Sequence, residues 1–112
     1  EDIIDLGEND VVVLFGFRRR TRQFKYVLNS IKQCKTILIT DPTGQDYRQS
    51  VDHLLVTHIG SDSPFDSYAA PMSLVASLCN LTYEALGSAA ADRVDAITEI
   101  YIQMDELESP KR

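Results

Sequence analysis

Apolar positions fall along this chain in two rhythms, short unbroken runs and stretches where they recur every third or fourth residue. Residues 11 to 17, VVVLFGF, form an unbroken run of β-branched and apolar side chains, the pattern of a strand buried on both faces. Asn9 and Asp10 mark its start. From Thr21 the period lengthens: Phe24, Val27, Leu28 and Ile31 stand at i, i+3, i+4 and i+7, with Lys25, Asn29, Ser30 and Lys32 on the other side. The spacing predicts an amphipathic helix of about twelve residues with Thr21 as its N-cap. TILIT, residues 36 to 40, is a second short apolar run, and DPTG at 41 to 44 closes it with strong turn chemistry. Strand, helix and strand in this order describe a βαβ unit with a right-handed crossover.

After the polar segment DYRQSVD, the run HLLVTH at 53 to 58 predicts a third strand, reached without a full helix and so by a shorter connection. GSDSPFDS, residues 60 to 67, is a loop of turn formers and helix caps, and a long helix is expected from Tyr68 to Leu86. Pro71 is tolerated there because it sits near the first turn. Ala69, Ala70, Met72, Leu74, Val75, Ala76, Leu78, Cys79 and Leu81 make this helix apolar over most of its circumference. Such a helix is expected to be covered twice, by its own sheet and by another subunit. Gly87 ends it, and a last helix is predicted over Asp92 to Glu108, with Val94, Ile97, Ile100, Tyr101, Met104 and Leu107 in one stripe. Asp95, Glu99, Asp105 and Glu106 face the other way, and ESPKR is a polar end.

With 112 residues, 44% hydrophobic and 25% charged, the composition is that of one globular domain over 1–112, without repeats, low-complexity segments or linkers. The net charge is −6, and four of the eleven cationic residues are concentrated between positions 18 and 22. Elsewhere carboxylates dominate, a balance that repels nucleic acid and anionic membranes over most of the surface. No apolar run approaches the roughly 20 residues that span a bilayer, and EDIIDLGEND has no basic region followed by an apolar core. A cytoplasmic protein without membrane attachment is the expectation. Cys34 and Cys79 form no CxxC pair and are read as reduced packing residues.

In an open parallel sheet, ligands sit beyond the carboxyl ends of the strands. Here those rims are GFRRRT at 16 to 21 and TDPTG at 40 to 44. The first turns into a helix N-terminus, whose free N–H groups and dipole favour an anion, and Arg18 and Arg19 add forked donors suited to phosphate or carboxylate. On charge pattern alone, anion binding and salt bridging to the many carboxylates both remain open for them. Arg20 and Arg22, nearer the helix, are read as the solvated pair. His53 and His58 lack partners at zinc spacing, so no metal is expected. Ser63, Ser67 and Thr40 have no activating base nearby in sequence, and loop capping accounts for the two serines. Asp41 follows the second strand where ribose-binding or catalytic acids occur, yet DPTG is equally an ordinary turn. No GxGxxG or Walker loop is present, and no cofactor is expected.

The order of these segments, NDVVVLFGFRRRTRQFKYVLNSIKQCKTILITDPTGQ followed by VDHLLVTHIGSDSPFDSYAAPMSLVASLCNLTYEALG, resembles the SIS (sugar isomerase) domain, in particular the effector domain of RpiR/MurR-type transcriptional regulators. The resemblance runs from residue 9 to about residue 108 and is carried by the arginine-bearing loop, the ILITD and DHLL strands and the SPFDS lead into the long helix. It implies a three-layer α/β/α sandwich with a parallel sheet, dimerisation through helices and recognition of a phosphosugar at the strand ends. The family loop has the pattern S-x-S-G-x-T; laid on this sequence its positions are Gly16, Arg18, Arg19 and Thr21, so only the threonine is kept. Guanidinium groups replace hydroxyls, clamping an anion farther from the backbone. An FRR-type loop looks similar to one in a subgroup of these regulators. The family's domain begins with an earlier strand and glycine-rich turn, preceded in regulators by a helix-turn-helix domain, and neither is among these residues.

The expectation is therefore a carbohydrate-responsive, non-enzymatic sensing and dimerisation domain. Its ligand, a sugar phosphate or sugar acid, would be held by Gly16, Arg18, Arg19, Thr21, Thr40 and Asp41. A homodimer would form through the helix Tyr68 to Leu86, with DNA engaged only through a domain absent from this chain. The alternative is a phosphosugar (aldose-ketose) isomerase of the same fold, for which His53, His58, Asp41 and Glu84 are the candidate bases, none in a family motif. A third possibility is a module whose pocket is vestigial and whose long helix only dimerises.

Overall fold

The structure, a computed structural model, describes residues 5–104. In chain order the elements are β1 (Val11–Gly16), α1 (Phe24–Ser30), β2 (Lys35–Thr40), a 3-10 helix (Pro42–Ser50), β3 (His53–Val56), α2 (Ala69–Leu86) and α3 (Ser88–Met104). Two compact units follow one another, Glu1–Met72 and Ser73–Arg112.

The first unit is built on a three-stranded parallel sheet in the order β1-β2-β3, the α/β class expected. Gly16, Thr40 and Val56 share one level, so all three strands end together. β2 is central, and Leu38, Ile39 and Thr40 on it are fully buried. Leu28, Ile31, Cys34 and Ile59 are buried with them, as are Thr36 and Asp41. The apolar face of α1 thus does what its spacing predicted, and burying two such side chains contributes about 2 to 3 kcal/mol each.

Several expectations change. β1 is not buried on both faces: Val11, Val13 and Phe15 are exposed, while Val12 and Leu14 are half-buried. A run of β-branched residues states that a strand forms, not how many of its faces are covered. The first helix is seven residues long, starts at Phe24 with Gln23 at the N-cap position, and has no side-chain cap. Thr21 instead closes a turn, its carbonyl accepting from the Phe24 N–H at 3.1 Å. The stretch read as the DPTG turn and a following polar segment is a nine-residue 3-10 helix, Pro42–Ser50, with Pro42 in its first turn. Gly44 within it is buried, and a Cβ there would collide with the Thr40 side chain. β3 stops at Val56, although the Thr57 N–H still reaches the Thr40 carbonyl at 2.7 Å.

At the opposite end of the sheet Asp52 ties β2 to the approach of β3. Its Oδ2 accepts from the Thr36 N–H at 2.8 Å, and the Asp52 N–H donates to Thr36 Oγ1 at 3.0 Å. These bonds, the Thr36 N–H first, hold the Asp52 carboxyl below its ordinary value of 3.8.

The second unit holds most of α2 and all of α3, which are separated by Gly87 alone, at φ +61°. That conformation suits glycine and ends α2 as expected. α3 then begins at Ser88, earlier than Asp92, because Ser88 and three alanines offer nothing that breaks a helix. The end of the predicted stripe, Leu107, and the rest of that helix to Glu108 lie outside the described residues. Leu81, Leu86, Val94, Ile97, Ile100 and Tyr101 are exposed. So is Cys79, which therefore is not the packing residue it was expected to be, in contrast to buried Cys34.

Candidate functional site

The carboxyl ends of β1 and β2 are fastened by Thr40. Its Oγ1 donates to the Gly16 carbonyl at 2.7 Å, deep in the first unit. Gly16 is itself buried, and a side chain there would strike the Phe24 ring. Both residues belong to the expected site, and the structure brings them together as the inner wall of the rim.

Arg20 organises the outer layer and corrects the sequence reading, which left it in solvent. Its Nη1 donates to the Gly16 carbonyl at 2.9 Å, and Nη2 donates to the Thr43 carbonyl and hydroxyl, both at 3.1 Å. Asp41 lies 3.6 Å away, with the two side chains only 16% and 4% exposed. Thr43 Oγ1 donates to Asp41 Oδ1 at 2.7 Å, and the guanidinium stands 5.3 Å from the centre of the Tyr47 ring. The Tyr47 ring in turn meets Phe24 edge to face at 5.1 Å. Arg20 thus joins the loop after β1 to the 3-10 helix after β2, and it gives the buried Asp41 carboxylate its counter-charge. The signal available in the sequence was the pairing of RRR with DPT at two neighbouring strand ends, which a linear reading of charge does not reveal.

The two arginines expected to meet an anion are placed differently. Arg18 forms a forked ion pair with Asp66, Nε to Oδ2 at 3.1 Å and Nη2 to Oδ1. Beside it Phe17 packs against Tyr68, ring centres 5.5 Å apart. Arg19 has φ +64°, a left-handed conformation that non-glycine residues rarely adopt. It is exposed, as are Thr21 and Arg22, and none of these three side chains has a hydrogen bond or ion pair among the described residues. The rim therefore carries one paired guanidinium, one without a partner among the described residues and the exposed Thr21 hydroxyl, beside a wall that is internally satisfied. One further polar group lies at the strand ends: Thr57 Oγ1 is buried without a partner among the described residues, a position that no motif in the sequence singles out.

Of the candidate bases, His53 lies at the level of Ile37, near the far end of the strands from the rim. His58 is exposed, two residues past β3, and Glu84 is exposed on α2. Asp41 is engaged by Arg20 and Thr43. Among the described residues no three His, Cys, Asp or Glu side chains gather as metal ligands would. No helix among them is long and apolar enough to cross a membrane. A cleft of about 430 Å³ opens between α1 and the 3-10 helix, lined by Arg20, Lys25, Leu28, Asn29, Thr43 and Tyr47 among others. Of the six residues proposed from sequence, none lines it.

No family model matches the chain, and no curated protein matches it. Among solved structures it is similar to the sugar isomerase domain of an RpiR transcription factor from Sphaerobacter thermophilus, with a TM-score of 0.66 and 18% sequence identity. The superposition covers 95% of this chain and 56% of that one. The fold implied by the sequence resemblance is thus the fold found, and the chain spans little more than half the length of its structural neighbour.

Proposed function

We propose that this chain is a ligand-sensing and dimerisation part of a carbohydrate-responsive transcriptional regulator, binding a sugar phosphate or sugar acid at the strand-end rim without transforming it. The observation that carries this reading is the arginine-bearing loop 16–21, set at the carboxyl end of a parallel sheet with a sugar isomerase domain fold. Ligands of such sheets sit there, and forked cationic donors suit a carboxylate or phosphate. Arg19 and Thr21 would meet the anion first, with Arg18 joining them. Gly16, Thr40 and Asp41 shape the floor on which that loop rests. The exposed apolar side chains of α2 and α3 support a homodimer, because a second copy that covers them removes apolar surface from water. DNA would be engaged through a domain outside these residues.

Binding without turnover separates this reading from an isomerase. Calorimetry with a panel of sugar phosphates and sugar acids should show saturable heat, with no interconversion of the recovered sugar by chromatography. Arg19→Ala and Arg18→Ala should each weaken binding. Conversion of any aldose phosphate to its ketose would overturn the sensor reading, and dimerisation without affinity for any anion would leave only an interaction module.

A further inference from the structure

Arg18 does not wait empty at the rim. Its Nε and Nη2 edge is filled by the two oxygens of Asp66, a carboxylate 48 residues away in sequence. This is the forked geometry in which a guanidinium takes a carboxylate or phosphate from solution. The pair is also solvent-accessible, the side chains being 45% and 20% exposed, so it is weak enough to exchange.

What Asp66 is attached to gives the exchange a consequence. The loop holding it is closed on itself: Ser61 Oγ donates to the Phe65 carbonyl at 2.5 Å, and the Ser67 N–H donates to the Ile59 carbonyl at 2.7 Å. α2 begins at Ala69, three residues after Asp66. The loop after β1 grips this lead-in at two neighbouring points, Phe17 on Tyr68 and Arg18 on Asp66. One contact is apolar and indifferent to anions, whereas the other is an ion pair that an anion can replace.

We infer that Asp66 is the resident occupant of the anion-binding edge of Arg18, and that an incoming anion with two oxygens on one centre displaces it and frees the lead-in to α2. This rests on the reading of the rim as an anion site and names how that site is regulated. Occupation by Asp66 lowers affinity for every anion equally. It also makes the start of the proposed dimer helix sense whether the rim is filled, since ligand and Asp66 cannot both hold Arg18.

The test titrates inorganic phosphate and, separately, gluconate into the full-length protein and its Asp66→Asn and Arg18→Ala variants, followed by calorimetry and by the amide resonance of Ser67. Asp66→Asn should tighten binding by about two- to fivefold, the value of one exposed ion pair. Its Ser67 resonance without anion should already lie near the anion-bound position of the parent protein. Arg18→Ala should weaken binding and leave Ser67 unmoved by anion. Phosphate and gluconate responding alike would assign the shared two-oxygen chemistry, and a response to one alone would assign that class. If Arg18→Ala weakens binding but Asp66→Asn leaves it unchanged or weaker, displacement is wrong and the anion site stands. If neither anion binds any of the three proteins, both are wrong. Asp66→Ala serves as the second variant, with the same expected direction, and melting curves report whether each variant is folded.

Discussion

Replacing Arg20 by alanine should damage the fold more than any other single change in the arginine run. The substitution removes donors to the Gly16 carbonyl and to both oxygens of Thr43, and it strips Asp41 of its cationic partner while that residue remains only 3% exposed. Breaking a buried pair from one side costs about 3 to 5 kcal/mol, because the remaining charge stays desolvated. Here the Arg20 side chain keeps 16% of its exposure and Thr43 Oγ1 still donates to Asp41, which pulls the expectation down to about 2 to 4 kcal/mol. For a domain of this size that is a fall in Tm of roughly 10 to 20 °C, followed by circular dichroism. Arg22→Ala, exposed and unpaired among the described residues, should change stability by less than about 0.5 kcal/mol. Combining Arg20→Ala with Asp41→Asn should cost less than the sum of the two, by about 1 to 3 kcal/mol, because the neutral amide no longer strands a charge. A loss below about 0.5 kcal/mol for Arg20→Ala, or strict additivity in the double variant, would refute the role given to this pair.

Three smaller tests probe the surrounding frame. Gly44→Ala should destabilise by about 1 to 3 kcal/mol in urea denaturation, since its Cβ would strike the fully buried Thr40; a neutral result would mean that the 3-10 helix yields there. Thr57→Val should raise stability by about 1 to 3 kcal/mol by removing a buried hydroxyl that has no partner among the described residues, and a loss of stability would show that this hydroxyl is satisfied in solution. Asp52 has a lowered folded-state pKa, so its contribution is present above the ordinary value of 3.8 and is lost as pH falls through the lower folded value. Asp52→Asn should flatten that part of the acid limb of the stability curve, whereas an NMR titration placing the Asp52 carboxyl at or above 3.8 would contradict the assigned bonds.

The strands were legible because short β-branched runs bounded by turn residues have few other outcomes, and VVVLFG, TILIT and HLLV all lie where the pattern put them. Period alone was less informative about limits. The stripe from Phe24 to Ile31 located α1, yet the three residues before it form a turn, because Arg20 is drawn back to Gly16 and Thr43 and cannot continue a helix outward. Burial of β1 was overread, since apolar side chains on both faces look the same whether one or both are covered. The site was half legible. That the candidate rim would join the ends of β1 and β2 followed from topology, and Gly16 and Thr40 do lie side by side. The division of labour among the arginines did not, because it depends on which carboxylates the fold brings near, Asp41 to Arg20 and Asp66 to Arg18. Partners 21 and 48 positions apart leave no trace in a local reading of charge.

The claim that the strand-end rim is a sensor's anion site is tested most directly by following backbone amide resonances while a sugar phosphate or sugar acid is added. The expected result is saturable shifts concentrated in residues 16–21, at Asp41 and at Asp66 to Ser67, abolished in the Arg18→Ala, Arg19→Ala double variant and unaccompanied by any change in the sugar. Shifts confined to the cleft between α1 and the 3-10 helix, around Lys25, Asn29 and Tyr47, would place the ligand elsewhere and contradict the claim. So would the absence of shifts with every anion of the panel.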